Sequence, residues 1–267
     1  MSPEAACRAP AGRGRPVLLL VAHGSRDPRH AATIAALTAR VRRRAPGLRV
    51  ETGFLDFTVP GVDQVLARLH TEGERDVVAV PLLLSHAFHA RTDIPAVLAA
   101  QEARLPGLAV RQADVPGPDP LLLGALERRL AGSSAGLSPA QWRETGVVLA
   151  SAGSSDPGAL AAVGRLARHW RLASGRCAVR TAFASAAPPT TADAVRALRA
   201  DGIRRVAVAP FVIAPGRLPD RILAGARAAG ADLVAPVLGD APELAALVLR
   251  RWAAAAGAPR ADRLLAG

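Results

Sequence analysis

Cysteine, lysine and aromatic side chains are scarce in this sequence, and each scarcity excludes a class of protein. The two cysteines, Cys7 and Cys177, form neither a disulfide framework nor a metal-ligand spacing, which fits a reducing compartment. Tyrosine, asparagine and lysine are absent, and aromatic residues make up 3% of the chain, so few rings could stack on bases. We therefore expect no nucleic acid partner, although a net charge of +12, carried by arginine, is compatible with an anionic substrate.

Long apolar runs are also missing. No segment approaches the roughly 18 uninterrupted apolar residues of a membrane span. The first residues, MSPEAACRAPAGRGR, lack the apolar stretch of a secretory signal. Because half of the 267 residues are hydrophobic, the chain can still bury a sizeable core. We expect a soluble, cytoplasmic protein that has no membrane partner.

The sequence contains an internal repeat with an offset of 129 residues. The repeat is clearest in two related segments, GSRDP from Gly24 and GSSDP from Gly153. The same offset relates three further pairs of identical residues, Phe54 and Phe183, Pro60 and Pro189, and Pro81 and Pro210. A constant offset across successive strand ends indicates a duplicated domain.

Each half alternates apolar strands with amphipathic helices, which is typical of an α/β protein. The predicted strands lie near 17–22, 48–55, 76–84, 108–112, 146–151, 178–184, 204–213 and 232–235. The predicted helices lie near 29–44, 61–72, 93–105, 118–131, 157–172, 189–201, 217–229 and 241–256. Because this alternation requires parallel strands, we predict two similar lobes, each a mostly parallel sheet with helices on both faces.

The composition also suggests where the lobes begin and end. The polar stretch AGSSAGLSPAQWRETG, rich in glycine and serine, is the natural connection between the halves. We therefore predict a disordered tail at 1–15, a metal-binding lobe at 16–132, a linker at 133–145, a degenerate second lobe at 146–258 and a tail at 259–267.

Polar side chains follow three strands of the first half. His23 follows the first strand, Asp56 the second, and His86 and His89 the third. In open parallel sheets, ligands bind outside the carboxyl ends of the strands. Imidazole suits iron, cobalt, nickel and zinc, and a carboxylate can act as a further ligand or as a base. The pattern predicts a metal site at this edge.

Structural roles are the alternative for each of these residues. Asp56 can cap a turn or the following helix, and Asp93 can cap the helix that begins IPAVLAA. We assign the remaining histidines, His30, His70 and His169, to helix surfaces with no role in the site.

The second half is an internal control for these assignments. The offset relates the four candidate donors of the first half to Ala152, Ser185, Pro215 and Leu218. The identical residues of the repeat persist in the second half while the candidate donors are lost, so the fold itself does not require the donors. The first lobe is predicted to carry the chemistry, and the second lobe to support it.

Four segments together resemble a known family. VAHGSRDP, GFLDFTVP and PLLLSHAFHARTDIP are similar to the sirohydrochlorin chelatases of the CbiX/SirB type, and APFVIAPGRLPDRI resembles the degenerate second half of the two-domain members. The resemblance implies an enzyme, a metal-inserting lyase of cobalamin or sirohaem biosynthesis, that places Co²⁺ or Fe²⁺ into sirohydrochlorin. The metal is a substrate, with Ni²⁺ left open, and no organic cofactor is implied. The metal-binding histidines of the family correspond to His23 and His89.

The sequence departs from the family pattern at two positions. The family often has FLE where this chain has FLD, so Asp56 is one methylene shorter and a water could bridge it to the metal. His86 adds either a third imidazole or a side chain that lines the pocket.

The implied reaction suggests roles for these residues. Metal insertion expels two pyrrole protons, and histidine, with an unperturbed pKa of about 6.5, can bind the metal or accept a proton. We predict catalytic roles for His23, His89 and Asp56. The substrate carries eight carboxylates, which guanidinium groups can pair with. The residues predicted to bind this anionic tetrapyrrole are Ser25, Arg26, Arg91, Arg217 and Arg221.

Two other functions use the same residues. A metal-binding chaperone or sensor would need the histidines but no cleft for a macrocycle. A phosphate-binding module could use the HGSRDP turn before its helix, although that turn lacks a glycine-rich fingerprint. Since two lobes of one chain can enclose a cleft, we expect a monomer.

Overall fold

A computed structural model describes residues 15–85, 89–133 and 137–257 of the chain. The strands of the first lobe are β1 (Val17–Ala22), β2 (Val50–Phe54), β3 (Asp76–Pro81) and β4 (Ala109–Gln112). The strands of the second lobe are β5 (Thr145–Ser151), β6 (Val179–Phe183), β7 (Arg205–Phe211) and β8 (Leu233–Val234). The helices are α1 (Pro28–Arg44), α2 (Val62–Thr71), α3 (Ile94–Arg104), α4 (Leu121–Ser133), α5 (Pro139–Arg143), α6 (Pro157–Ser174), α7 (Thr191–Ala200), α8 (Arg217–Ala228) and α9 (Pro242–Gly257).

The two sheets have the same topology. Their strand orders are β2-β1-β3-β4 and β6-β5-β7-β8, and every pair of neighbours is parallel. In the first sheet Ala22 pairs with Phe54, and Val21 pairs with Pro81. The predicted fold class, two similar parallel-sheet lobes, is confirmed. None of the described helices is long and apolar enough to cross a membrane.

The helix that follows the first strand of each lobe begins in the same way. Asp27 and Asp156 are the N-caps of α1 and α6, and each carboxylate accepts a hydrogen bond from the backbone N–H two residues later. A proline follows each cap and occupies the first helical turn, where it costs no hydrogen bond. The repeated SxDP sequence therefore starts a helix directly after a strand-end loop.

The last helix of each lobe packs on the sheet of the other lobe. α4 leaves the first sheet and packs on β7 and β8, whereas α9 leaves the second sheet and packs on β3 and β4. The two helices also contact each other, and one continuous apolar cluster joins both sheets through α1, α4, α6 and α9. α2 and α3 cover the outer face of the first sheet, and α7 and α8 cover that of the second. Each sheet is therefore buried on both faces, as parallel sheets require.

The predicted linker contains a helix that the hydrophobic pattern did not indicate. Ser138 caps α5, and the side chain of Gln141 accepts a hydrogen bond from the Ser138 N–H in return. This reciprocal arrangement satisfies two backbone donors of a very short helix. α5 then places Trp142 against the second lobe.

An ion pair between a buried arginine and a partly exposed glutamate connects this segment to both lobes. The Arg176 side chain, which is 2% exposed, forms a two-point ion pair with Glu127 of α4. Its guanidinium group also lies 4.2 Å from the Trp142 ring centroid and 5.9 Å from that of Trp170. The Trp170 indole N–H donates to Glu127. Because α4 belongs to the first half of the chain, the pair stabilises the junction between the halves.

We expect Glu127→Ala to lower the free energy of unfolding by about 3 kcal/mol, because it removes the carboxylate that neutralises the buried Arg176 charge. The control is Asp201→Ala, which removes one partner of the half-exposed Arg180–Asp201 pair and should cost less than about 1 kcal/mol. Denaturant unfolding monitored by tryptophan fluorescence measures both. Equal losses of unfolding free energy in the two variants would show that the Glu127 pair stabilises the protein no more than an exposed pair does.

Candidate functional site

A cavity of about 420 Å³ lies between the lobes, at the carboxyl ends of the central strands. The first lobe lines it with His23 and residues 82–85, and the second lobe lines it with residues that include Ser154, Leu160 and Phe211. The walls are mainly apolar, with hydroxyl groups at a few points. This volume falls within the range of about 300 to 1,000 Å³ that small-molecule sites have.

The connections that carry the histidines leave the first sheet at the point where its strand order reverses. β1 and β3 are neighbours, but their connections continue to opposite sides, and ligands bind at such switch points. His23 directly follows β1, and a π-helical turn that begins at His89 follows β3. The main chain therefore places His23 at the predicted edge, and His89 begins the turn that comes after β3. Only the main chain of His89 is described, and His86 lies outside the described residues, so their side-chain roles stay predictions.

The π-helical turn, His89–Asp93, precedes α3, which begins at Ile94, one residue after the predicted start of the helix. Asp93 has helical backbone angles and makes no side-chain cap hydrogen bond, so the alternative that Asp93 caps this helix is wrong. π-turns are rare and frequently occur at functional sites.

The loop that carries His23 is held against the turn that carries Asp56. The Asp56 N–H donates to the His23 carbonyl at 2.9 Å, and Gly24 has a φ of 93°. A Cβ atom on Gly24 would lie 1.7 Å from the Asp56 carbonyl oxygen, so only glycine fits there. The Thr58 hydroxyl donates to the Ser25 carbonyl and accepts from the Ser25 N–H. Backbone contacts thus fix where His23 lies.

Asp56 has a local structural partner. Its carboxylate accepts the Phe57 N–H at 2.8 Å, as the alternative of a turn cap requires, and the residue is exposed. Within the described residues, no three His, Cys, Asp or Glu side chains are grouped to hold a metal ion. Metal or proton chemistry at Asp56 therefore stays a prediction.

The turn itself is unusual. The Thr58 N–H donates to the Asp56 carbonyl, which closes a three-residue turn, and the central residue, Phe57, has a φ of 58°. The Phe57 ring lies with its centroid 6.4 Å from that of His23, at an angle of 27°. The Arg26 guanidinium group lies 4.9 Å from the same ring. Sequence reasoning missed Phe57, since the surrounding pattern marks only a loop.

The second lobe repeats this backbone with different side chains. Gly153 has a φ of 90° and faces the Ser185 carbonyl, and Ala186 has a φ of 63° within the equivalent turn. The Ser185 N–H donates to the Ala152 carbonyl at 3.0 Å, as Asp56 does to His23. The loops of both lobes are therefore equivalent, while the imidazole and the aromatic ring occur in the first lobe.

His30 lies on a helix as predicted, but it is half-buried and not fully on the surface. His30 lies in the first turn of α1, with its ring 6.3 Å from the Phe54 ring and its Nδ1 atom buried without a hydrogen-bond partner. Burial lowers the pKa of His30, and the nearby His23 lowers it further. Periodicity placed the residue on α1, but the packing of β2 against that turn determines its burial. The other two histidines match their assignment, since His70 contacts the Pro106 carbonyl and His169 is exposed.

Ion pairs join the lobes on two sides of the cleft. Arg91 pairs with Asp156, the N-cap of α6, at 3.4 Å. On the other side, Arg29 pairs with Asp27, the N-cap of α1, and with Asp220 of α8, at 2.6 and 2.9 Å. The 129-residue offset relates Asp27 to Asp156 and Arg91 to Asp220. The two contacts between the lobes therefore involve the same pair of positions, with the lobes interchanged.

Charge distinguishes these two contacts. Asp27 and Asp220 are both acidic, and Arg29 neutralises them. Its hydrogen bond lowers the pKa of Asp27, and both carboxylates raise the pKa of Arg29. At the other contact, Arg91 meets Asp156 directly, so this predicted substrate residue already has a carboxylate partner.

The remaining predicted substrate residues lie near the cleft. Arg217 and Arg221 are exposed in the first two turns of α8, and Leu218, next to Arg217, lines the cavity. Arg26 is exposed over the Phe57 ring. The Ser25 hydroxyl accepts the Asp27 N–H at 3.1 Å, which is a local structural role.

The fold and the cleft define a two-lobed α/β protein in which one lobe carries histidine at the strand ends and the other completes the walls. A family model described as CbiX matches residues 17–133 and 146–255. The chain belongs to the CbiX family.

Individual proteins show the same similarity. The chain is 29% identical over 206 residues to a sirohydrochlorin cobaltochelatase of Priestia megaterium, which covers 77% of this chain and 66% of that protein. It is 25% identical to a sirohydrochlorin ferrochelatase of the same organism, over 77% of this chain and 76% of that protein. The structure of SirB from Bacillus subtilis with Fe³⁺ has the same fold, with a TM-score of 0.79, 24% identity and coverage of 91% of this chain and 96% of that chain.

We expect Gly24→Ala and Gly153→Ala to destabilise the protein by similar amounts, about 2 kcal/mol or more, because each methyl group would collide with a carbonyl oxygen at positive φ. Only Gly24→Ala displaces the loop that carries His23, so we expect only this variant to weaken Co²⁺ binding. Thermal unfolding and anaerobic Co²⁺ titration measure the two effects. Weaker binding in Gly153→Ala, at equal stability, would contradict the division between the lobes.

Proposed function

We propose that this protein is a sirohydrochlorin chelatase that inserts Co²⁺ or Fe²⁺ into the macrocycle during cobalamin or sirohaem biosynthesis. The observation that supports this most directly is the position of His23 at the switch point of one sheet, on the wall of a cavity that the other lobe completes. Membership of the CbiX family and the names of the two relatives are consistent with this activity.

The proposed metal donors are His23 and His89. Both residues follow central strands of the first sheet, and their counterparts in the second lobe, Ala152 and Leu218, cannot bind a metal. Two imidazoles without a cysteine cage would hold a divalent ion loosely enough to release it. We propose that the metal is a substrate, with Ni²⁺ a further candidate, and that no organic cofactor takes part.

Metal insertion also requires a proton acceptor. Two pyrrole N–H protons leave as the ion enters, and a histidine or a carboxylate near the cavity can accept them. Asp56 is exposed beside the His23 loop, and one of its oxygens is engaged by the Phe57 N–H. We propose that Asp56 or a released histidine takes up a proton, with a water bridging any gap to the ion.

The cavity suits a flat, largely apolar ring with charged arms. Leu83, Leu160 and Phe211 give the walls an apolar surface for the macrocycle face. Exposed arginines at the rim can pair with its carboxylates, which favours Arg26, Arg91, Arg217 and Arg221 as substrate-binding residues. Because one chain supplies both walls, we propose that the protein acts as a monomer, and the scarcity of cysteine agrees with a cytoplasmic location.

We expect His23→Ala and His89→Ala each to abolish metal insertion, because each removes one of two proposed donors. The assay is anaerobic incubation with sirohydrochlorin and Co²⁺ or Fe²⁺, followed by the change in the absorption spectrum. His169→Ala, on an exposed helix face, is the control and should keep full activity. Full activity in both His23→Ala and His89→Ala would refute the assignment. A wild-type protein that binds Co²⁺ but never changes the macrocycle spectrum would instead be a metal chaperone or sensor.

We expect Arg217→Ala to raise the KM for sirohydrochlorin about tenfold, since it removes a guanidinium partner of a substrate carboxylate. Its Co²⁺ affinity should not change. Arg227→Ala, an equal change of charge in the last turn of the same helix, should leave both quantities unchanged. Steady-state kinetics and Co²⁺ titration measure them. A rise in KM accompanied by an equal loss of Co²⁺ affinity in Arg217→Ala would count against separate roles for the two lobes.

A further inference from the structure

Phe57 combines two features that a protein surface usually avoids. Its side chain is 53% exposed, although it is large and apolar. Its backbone has a φ of 58°, which is uncommon for a residue other than glycine and rare for a bulky one. Such residues persist where the surrounding structure holds them in place, and they cluster at functional sites.

The second lobe separates the role of the backbone from the role of the ring. At the equivalent position Ala186 has a φ of 63°, and the Ala187 N–H closes the same three-residue turn onto the Ser185 carbonyl at 2.8 Å. The fold therefore needs this turn in both lobes. It does not need an aromatic ring there, because the second lobe forms the turn with a methyl group.

The ring contacts two side chains of the candidate site. The Phe57 and His23 rings are stacked, with centroids 6.4 Å apart and planes inclined by 27°, and the Arg26 guanidinium group lies 4.9 Å from the Phe57 centroid. Phenylalanine can neither bind a metal nor donate a proton, so it acts through these ring contacts. The second lobe lacks all three side chains, since the offset relates them to Ala152, Ser155 and Ala186.

We propose that Phe57 is a positioning residue that holds the His23 imidazole in the orientation needed to bind the metal and pass it to the macrocycle. This inference rests on the proposed function, because it takes His23 as a metal donor. The exposed ring stacks on one side of the imidazole and is held by Arg26, so the imidazole has fewer orientations to lose when the ion binds.

The experiment compares Phe57→Ala, Phe57→Leu and Phe57→Trp with wild type. Val59→Ala is the control, because Val59 lies two residues further along the chain and is 79% exposed. Co²⁺ affinity is measured by anaerobic titration, the geometry of bound Co²⁺ by its visible absorption, and the reaction by kcat and KM. Thermal unfolding shows whether each variant is folded.

We expect Phe57→Ala to weaken Co²⁺ binding about three- to tenfold and to shift the visible bands of the ion, as loss of an aromatic pair would. We expect kcat to fall while the KM for sirohydrochlorin stays unchanged, and thermal stability to be kept, because alanine occupies this turn in the second lobe. Phe57→Leu should behave like Phe57→Ala, Phe57→Trp like wild type, and Val59→Ala like wild type.

Three results would overturn the inference. Unchanged Co²⁺ affinity in Phe57→Ala would show that the ring does not position His23. A change limited to KM would place the ring on the substrate instead. Wild-type behaviour of Phe57→Leu would show that bulk, and not stacking, is what matters. His23→Ala in the same titration separates this inference from the proposed function, because wild-type Co²⁺ affinity in that variant would refute the metal role of His23 itself.

Discussion

A parallel sheet has to be covered on both of its faces, and in this protein each sheet obtains one cover from the other half of the chain. α4 lies on β7 and β8, and α9 lies on β3 and β4. The resulting apolar cluster runs through both lobes without a break, so the lobes are joined at the back by hydrophobic packing. Because this packing fixes the sheets relative to each other, it also fixes the width of the cavity at their carboxyl ends.

The contacts at the front of the cleft are of a different physical kind. Arg91 with Asp156, and Arg29 with Asp27 and Asp220, join the lobes through ion pairs in which every side chain keeps some contact with solvent. Exposed pairs contribute little to stability and are screened by salt. The cleft thus combines a rigid back with a front whose contacts can exchange partners, which suits the proposed function, in which an anionic macrocycle enters and leaves the site.

Much of the fold could be predicted from the sequence, because alternating apolar strands and amphipathic helices admit few topologies. The strand 17–22 was predicted with its observed bounds, and His23 was correctly placed at a strand end. The exchange of α4 and α9 could not be predicted, since an apolar helix face does not say which sheet it covers. α5 was missed although its SPAQ sequence is a capping-box signal, which was outweighed by the glycine and serine around it.

Of the candidate site, only the proposed donor residues could be predicted from the sequence. His23, Asp56 and His89 are recognisable by residue type and by position after a strand. Phe57 and His30 are not, because the ring contacts of Phe57 arise within a loop and the partial burial of His30 comes from a neighbouring strand. The π-turn at His89 likewise has no local sequence signal, since tertiary contacts decide where a helix accepts an extra residue.

The crossed positions of α4 and α9 have a consequence for the history of the molecule. A polypeptide of half this length would end in a helix that has no sheet of its own to cover, and it would leave one side of its sheet bare. Two such chains would each supply what the other lacks, so the half-length form would be stable as a symmetric pair. Joining the two copies end to end would keep that arrangement while releasing one copy from selection on the proposed metal donors. Ala152 and Leu218 occupy the corresponding positions of the second lobe.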